Sequence, residues 1–165
     1  MEQYTKKIQR TAAIGLWGSA AIVIVTAFFS MVSPWHFIQN EYTAKWMLVA
    51  GTVLAVLAVS MALLGTRRTM PRLRQTDGLE DKLKGYVDYV RQTYINLMVV
   101  VLLLCLFTLL SGRNVLLMLA MVTTLVLVLG YPNIYKVKVD LGLTDGEMRT
   151  LYGDRYISDR HDEQE

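Results

Sequence analysis

Leu97–Leu110 reads LMVVVLLLCLFTLL, a run with no charge and a single hydroxyl. Each Leu, Val or Phe near the centre of a bilayer helix contributes roughly −0.3 to −0.6 kcal/mol towards insertion, so this run enters a membrane unaided. Working outward, no Asp, Glu, Lys or Arg occurs from 92 to 112. That length, as a helix rising 1.5 Å per residue, crosses a hydrocarbon core of about 30 Å. Three more stretches share the property: 11–40, 46–66 and 114–135. Helices are expected at about 11–33, 46–65, 94–111 and 114–131. The chain is 53% hydrophobic with a mean hydropathy of +0.34, and its apolar residues come in blocks rather than alternating with polar ones. That excludes an ordinary soluble domain. The expected fold class is an all-α integral membrane protein, a four-transmembrane-helix bundle of two hairpins with helical cytoplasmic extensions.

Charge sets the expected topology. Of 17 Lys and Arg, all but Lys45 and Arg113 fall in the N-terminal segment, the middle loop or the C-terminal segment. Basic residues stay on the cytoplasmic side, so residues 1–10, the loop 66–93 and the segment 132–165 are expected inside, in a bacterial inner membrane. Aromatic side chains favour the two interfaces. Trp35, Phe37, Tyr42 and Trp46 gather at the expected outer boundary, and Tyr94, Tyr131 and Tyr135 near the inner one. Lys6, Lys7 and Arg10 before an apolar run imitate a secretory signal. The run exceeds the usual 7–15 residues of such a signal and lacks a small-x-small cleavage site, so the first helix is expected to remain as an anchor.

The middle loop carries structure of its own. Pro71 and Asp77-Gly78 punctuate it, and Asp77 with Glu80 has the spacing of a capping box. From there Leu79, Leu83, Tyr86, Val87 and Val90 fall on one helical face, with Glu80, Lys84, Asp88 and Arg91 on the other. The apolar face runs in phase through Tyr94 into Leu97, predicting an amphipathic helix over 78–93 that can continue into the third span, with Gly85 as its weak point. This face is a candidate partner-binding surface. Ser111–Asn114 is a tight connection. Pro132 predicts an end or kink after the fourth helix. Thr144 and Glu147 form a second capping box, opening a short helix at about 145–152 that stops at Gly153.

GTVLAVLAVSMALLG, residues 51–65, places Gly51, Ala55, Ala58, Ala62 and Gly65 at steps of 4, 3, 4 and 3. Helices in lipid associate by close packing, which small residues permit. Helix 1 supplies a weaker match that includes Gly15 and Ser19. The reading is that these two seams zip together as the first hairpin. The rival reading is that the helix 2 seam is an intermolecular face.

Chemistry is sparse. An ionisable residue inside a span is the usual functional flag, and the four expected spans hold none. The embedded Glu of small four-helix drug exporters has no counterpart in helix 1. One cysteine, Cys105, excludes an intrachain disulfide. His36 and His161 fall on opposite sides and cannot share a metal site. No motif assembles a nucleophile–base pair, so no catalytic residue, metal or cofactor is expected. Arg67, Arg68, Arg72 and Arg74 fix topology and are also candidate contacts for anionic lipid. The expected function is that of a non-catalytic accessory or scaffold subunit binding a partner through its cytoplasmic helices. An oligomeric transporter or channel, and an enzyme without a readable motif, are the alternatives. The expected partners are the bilayer and another membrane protein or a second copy, with no nucleic acid.

Overall fold

Six helices account for the regular structure in a computed structural model that describes residues 2–32 and 40–152. They are α1 (Glu2–Val32), α2 (Glu41–Arg74), α3 (Leu79–Ser111), α4 (Asn114–Leu129), α5 (Ile134–Leu141) and α6 (Asp145–Tyr152). No strand occurs among the described residues. Trp35, His36, Phe37, Gly153 and His161 lie outside them. Three helices, α1, α2 and α3, are long and apolar enough to cross a membrane, and a fourth span exists if α4 and α5 count as one bent element.

The helices are longer than the uncharged stretches alone suggest. α2 begins at Asn40, whose side-chain oxygen accepts the Tyr42 N–H at 3.0 Å, and runs past Pro71 to Arg74. Proline costs the helix a hydrogen bond. Buried Met70 and the partly buried Leu73 beside it are packed into the core, and this packing outweighs the loss. α3 is unbroken from Leu79 to Ser111, which at 1.5 Å per residue is about 50 Å. Gly85 does not break it. Its bare Cα receives Leu73 of α2, whose Cδ2 would lie 2.6 Å from any added methyl.

The capping box expected at Asp77 and Glu80 does not form. Gly78, with φ 95°, is the N-cap and makes no side-chain bond, so the helix starts one residue later than Asp77 requires. The Glu80 carboxylate instead accepts the Tyr4 hydroxyl of α1 at 3.0 Å. The second box does form. Thr144 N–H and its hydroxyl both donate to Glu147 Oε2, at 2.8 and 2.9 Å, and Glu147 N–H returns to Thr144 Oγ1 at 3.3 Å.

The packing order differs from the expected zip. α1 packs on α3 and α4, and α2 packs on α3, α4 and α5, while α1 and α2 share no substantial contact. α3 and α4 touch each other. Two helices that each touch both members of a contacting pair, but not one another, must lie on opposite sides of that pair. The seams therefore face large side chains instead of each other. A methyl on Gly15 would sit 2.7 Å from Tyr94 Cδ1, and one on Gly51 2.5 Å from Leu116 Cδ2. Helices 3 and 4, rich in Leu, Val and Met, supply the knobs, and helices 1 and 2 supply the grooves.

Two apolar clusters result. One joins Val23, Ala55, Val101, Leu104, Cys105, Leu116, Leu117 and Ala120 near the Ser111–Asn114 connection. The other lies at the opposite, basic end, where Ile8, Met70, Leu83, Tyr86 and Val90 meet Val137, Leu141 and Met148 of α5 and α6. The turn between α3 and α4 uses Gly112 at φ 65°, whose N–H returns to Thr108 O at 2.8 Å.

Candidate functional site

At the end of α4 the backbone has to dispose of its last four carbonyls, which an ideal helix leaves without partners. Pro132 has no N–H to give, and the chain turns by 78° into α5. Val126 O accepts Gly130 N–H at 2.9 Å and Val128 O accepts Tyr131 N–H at 3.0 Å. Leu127 O takes the Tyr94 hydroxyl at 3.0 Å, and Leu129 O the Lys136 ammonium at 3.1 Å. All four are satisfied, two of them by side chains. Asn133 caps α5 through its side-chain oxygen, which accepts Lys136 N–H at 2.6 Å.

The turn leaves space. α4 stops at Leu129, while α2 and α3 continue alongside for several more turns. α2 faces this space with Val59, Ala62, Leu63, Thr66, Arg67 and Met70. A cleft of about 410 Å³ opens between α2, α3 and the α4–α5 elbow. Val59, Leu63, Val90, Leu97, Val126 and Leu127 give it apolar walls, and Arg67, Lys136 and Asp140 stand among the residues that line it.

Most of the hydroxyls in the walls are already committed. Tyr89 Oη and Thr66 Oγ1 are 2.5 Å apart, and both residues bond Ala62 O, at 3.2 and 2.9 Å. The Tyr86 hydroxyl donates to Asp140 Oδ2 at 3.1 Å. Burial first, and then the Asp140 charge and that hydrogen bond, push the Tyr86 phenol well above its ordinary 10.0, so it stays a donor at all physiological pH. Arg74 holds the same segment from α2, donating to Asp140 O at 3.0 Å and to Val139 O at 2.7 Å. Arg67 is exposed, and no hydrogen bond or ion pair engages it among the described residues. The hydroxyls of Thr66, Tyr86, Tyr89 and Tyr94 are thus spent on the chain's own acceptors.

The residues singled out from the sequence separate into three groups. Gly15 and Ser19 lie buried on α1, Gly15 against Tyr94 of α3. Gly51 and Ala55 lie buried on α2, with Ala58, Ala62 and Gly65 partly buried along the same side. Gly65 abuts the Tyr89 ring. Of the expected partner-binding face, Leu83, Tyr86, Val87 and Val90 are all buried within the chain itself, and Leu79 packs on their cluster. Val137, Leu141, Met148 and Leu151 of α5 and α6 and Ile8 of α1 join that stripe in one apolar cluster. Of the four arginines, Arg67 lines the cleft, Arg68 and Arg72 are exposed, and Arg74 is a clamp on α5. Among the described residues no group of three or more His, Cys, Asp or Glu comes together. Lys136, Asp140, Tyr89 and Thr66 escaped the sequence reading. The available signal was Pro132, because a kink there swings the i, i+4 pair Lys136 and Asp140 towards α2.

Comparison with family models, curated proteins and solved structures finds no match.

Proposed function

We propose that the chain is a four-transmembrane-helix bundle of a bacterial inner membrane, with both termini and the α5–α6 layer in the cytoplasm, acting as a non-catalytic accessory or scaffold subunit. Support for the orientation comes from the placement of Lys and Arg. In this arrangement α4 and α5, one element bent by 78°, make the fourth crossing with α5 at its inner end, and α3 projects about 20 Å beyond a 30 Å core.

The observation that carries the scaffold reading is the continuity of α3 from Leu79 to Ser111, with its apolar stripe closed by the chain's own helices. Such a body is rigidly coupled to the membrane part. Its remaining face presents Glu80, Lys84, Asp88 and Arg91, all exposed, and this polar face is where a partner docks. A photo-crosslinking amino acid at Asp88, used in intact cells, tests the proposal. One discrete adduct with a different protein is the expected result. Adducts with a second copy alone favour an oligomeric channel or transporter, and the lack of any adduct overturns the scaffold role.

A further inference from the structure

We propose that the cleft between α2, α3 and the α4–α5 elbow seats one acyl chain of an anionic phospholipid, whose phosphate is held by Arg67 and Lys136. The proposal rests on the membrane location but not on the scaffold role.

The volume, about 410 Å³, lies within the roughly 300–1,000 Å³ of pockets that enclose a small ligand. The walls are apolar, and the wall hydroxyls of Tyr86, Tyr89 and Thr66 are bonded internally. Thr93 is the one lining residue whose hydroxyl is unbonded among the described residues, so a polar solute would find few partners there, whereas a hydrocarbon chain needs none. The cleft also sits at the right depth. Arg67 directly follows the uncharged stretch of α2, and Lys136 ends the uncharged run of α4 and the elbow. Both cations therefore mark the head-group level of one leaflet.

Charge complementarity selects an anionic head group. Arg67 offers a planar fork of donors suited to phosphate. The Lys136 ammonium has three N–H groups, of which one is placed on Leu129 O, leaving two for phosphate oxygens. The one carboxylate at the cleft, Asp140, is turned to the Tyr86 hydroxyl, so two cations face one anion. Basic pockets between spans on the cytoplasmic side are the recurring setting for anionic head groups.

The test uses the full chain in nanodiscs of mixed phosphatidylglycerol and phosphatidylcholine, released into native mass spectrometry so that retained lipids are counted. One phosphatidylglycerol retained per chain is expected. Each cation accounts for about fivefold in retention, so Arg67→Gln with Lys136→Gln lowers it roughly 25-fold. Arg68→Gln, on the same turn but outside the cleft, leaves retention unchanged. Val59→Phe, which fills the cleft, abolishes it while thermal unfolding stays cooperative. Equal retention of phosphatidylcholine by the unaltered chain overturns the proposal without recourse to any variant. So does an equal loss in Arg68→Gln, which would mean diffuse attraction to a basic surface. A failed cross-link at Asp88 leaves these outcomes untouched.

Discussion

Within the α1 seam, neighbouring positions answer the same substitution with opposite signs. Gly15 faces the Tyr94 ring, whose Cβ and Cδ1 would lie 3.3 and 2.7 Å from an added methyl. The ring cannot swing away, because its hydroxyl is fixed on Leu127 O. Gly15→Ala is therefore expected to destabilise the protein by about 1–3 kcal/mol, the usual range for overpacking. Gly18→Ala meets only the tip of the Met98 side chain at 3.4 Å and is expected to be near neutral. Ser19 is fully buried, and its hydroxyl has no partner among the described residues. Removing an unsatisfied buried hydroxyl relieves about 1–3 kcal/mol of desolvation, so Ser19→Ala should stabilise. Thermal unfolding of the three variants in detergent checks all three signs together.

Elements at the basic end are held by a few polar devices whose loss is local. Arg74 grips α5 through two carbonyls, and hydrogen bonds to a charged group contribute about 1.5–3 kcal/mol, less where exposed. Arg74→Met is expected to speed amide exchange in α5 by about fivefold to tenfold while leaving α3 unchanged, as read by hydrogen exchange. α6 depends on its capping box. The Thr144 N–H and then its hydroxyl hold the Glu147 carboxyl below its ordinary 4.5. A lowered carboxyl value stabilises the fold above the unfolded value and ceases to do so as pH falls through the folded one. Exchange protection in α6, corrected for intrinsic rates, should be complete at neutral pH and fall away below about 4.5. Thr144→Ala should remove much of it at neutral pH, a loss of about 1 kcal/mol.

The same devices explain what the sequence could reveal. Thr144 and Glu147 are three residues apart and use only local atoms, so their box was legible. Asp77 and Glu80 have the same spacing, but Tyr4, distant in sequence, takes Glu80 and Gly78 supplies the turn. The long apolar helices were legible from hydropathy alone. Their neighbours were not, because Gly51 fits a leucine of α4 as readily as a helix 1 surface, and a small-residue seam does not name its occupant. The stripe at 79–90 was legible as a buried face, but whether a partner or α5 and α6 bury it is a long-range matter. The cleft was illegible for a related reason: it exists only where four elements fail to fill space together.

For the whole molecule, the proposed orientation places the ends of α1 and α6 on one side of the membrane. Fluorescent protein fused after Glu165 should fluoresce, and alkaline phosphatase fused there should be inactive. The reverse pair of results would overturn the cytoplasmic assignment for α5, α6 and the cleft mouth together. The placement of α1 and α2 on opposite sides of α3 and α4 also bears on biogenesis. A nascent chain delivers α1 and α2 first, yet neither is the other's partner. With the proposed membrane placement, both would sit in lipid with their grooves open until the second pair arrives. A chain halted after α2 would then leave Gly15 without Tyr94 and Gly51 without Leu116. On that reading the second half of the protein completes the packing of the first.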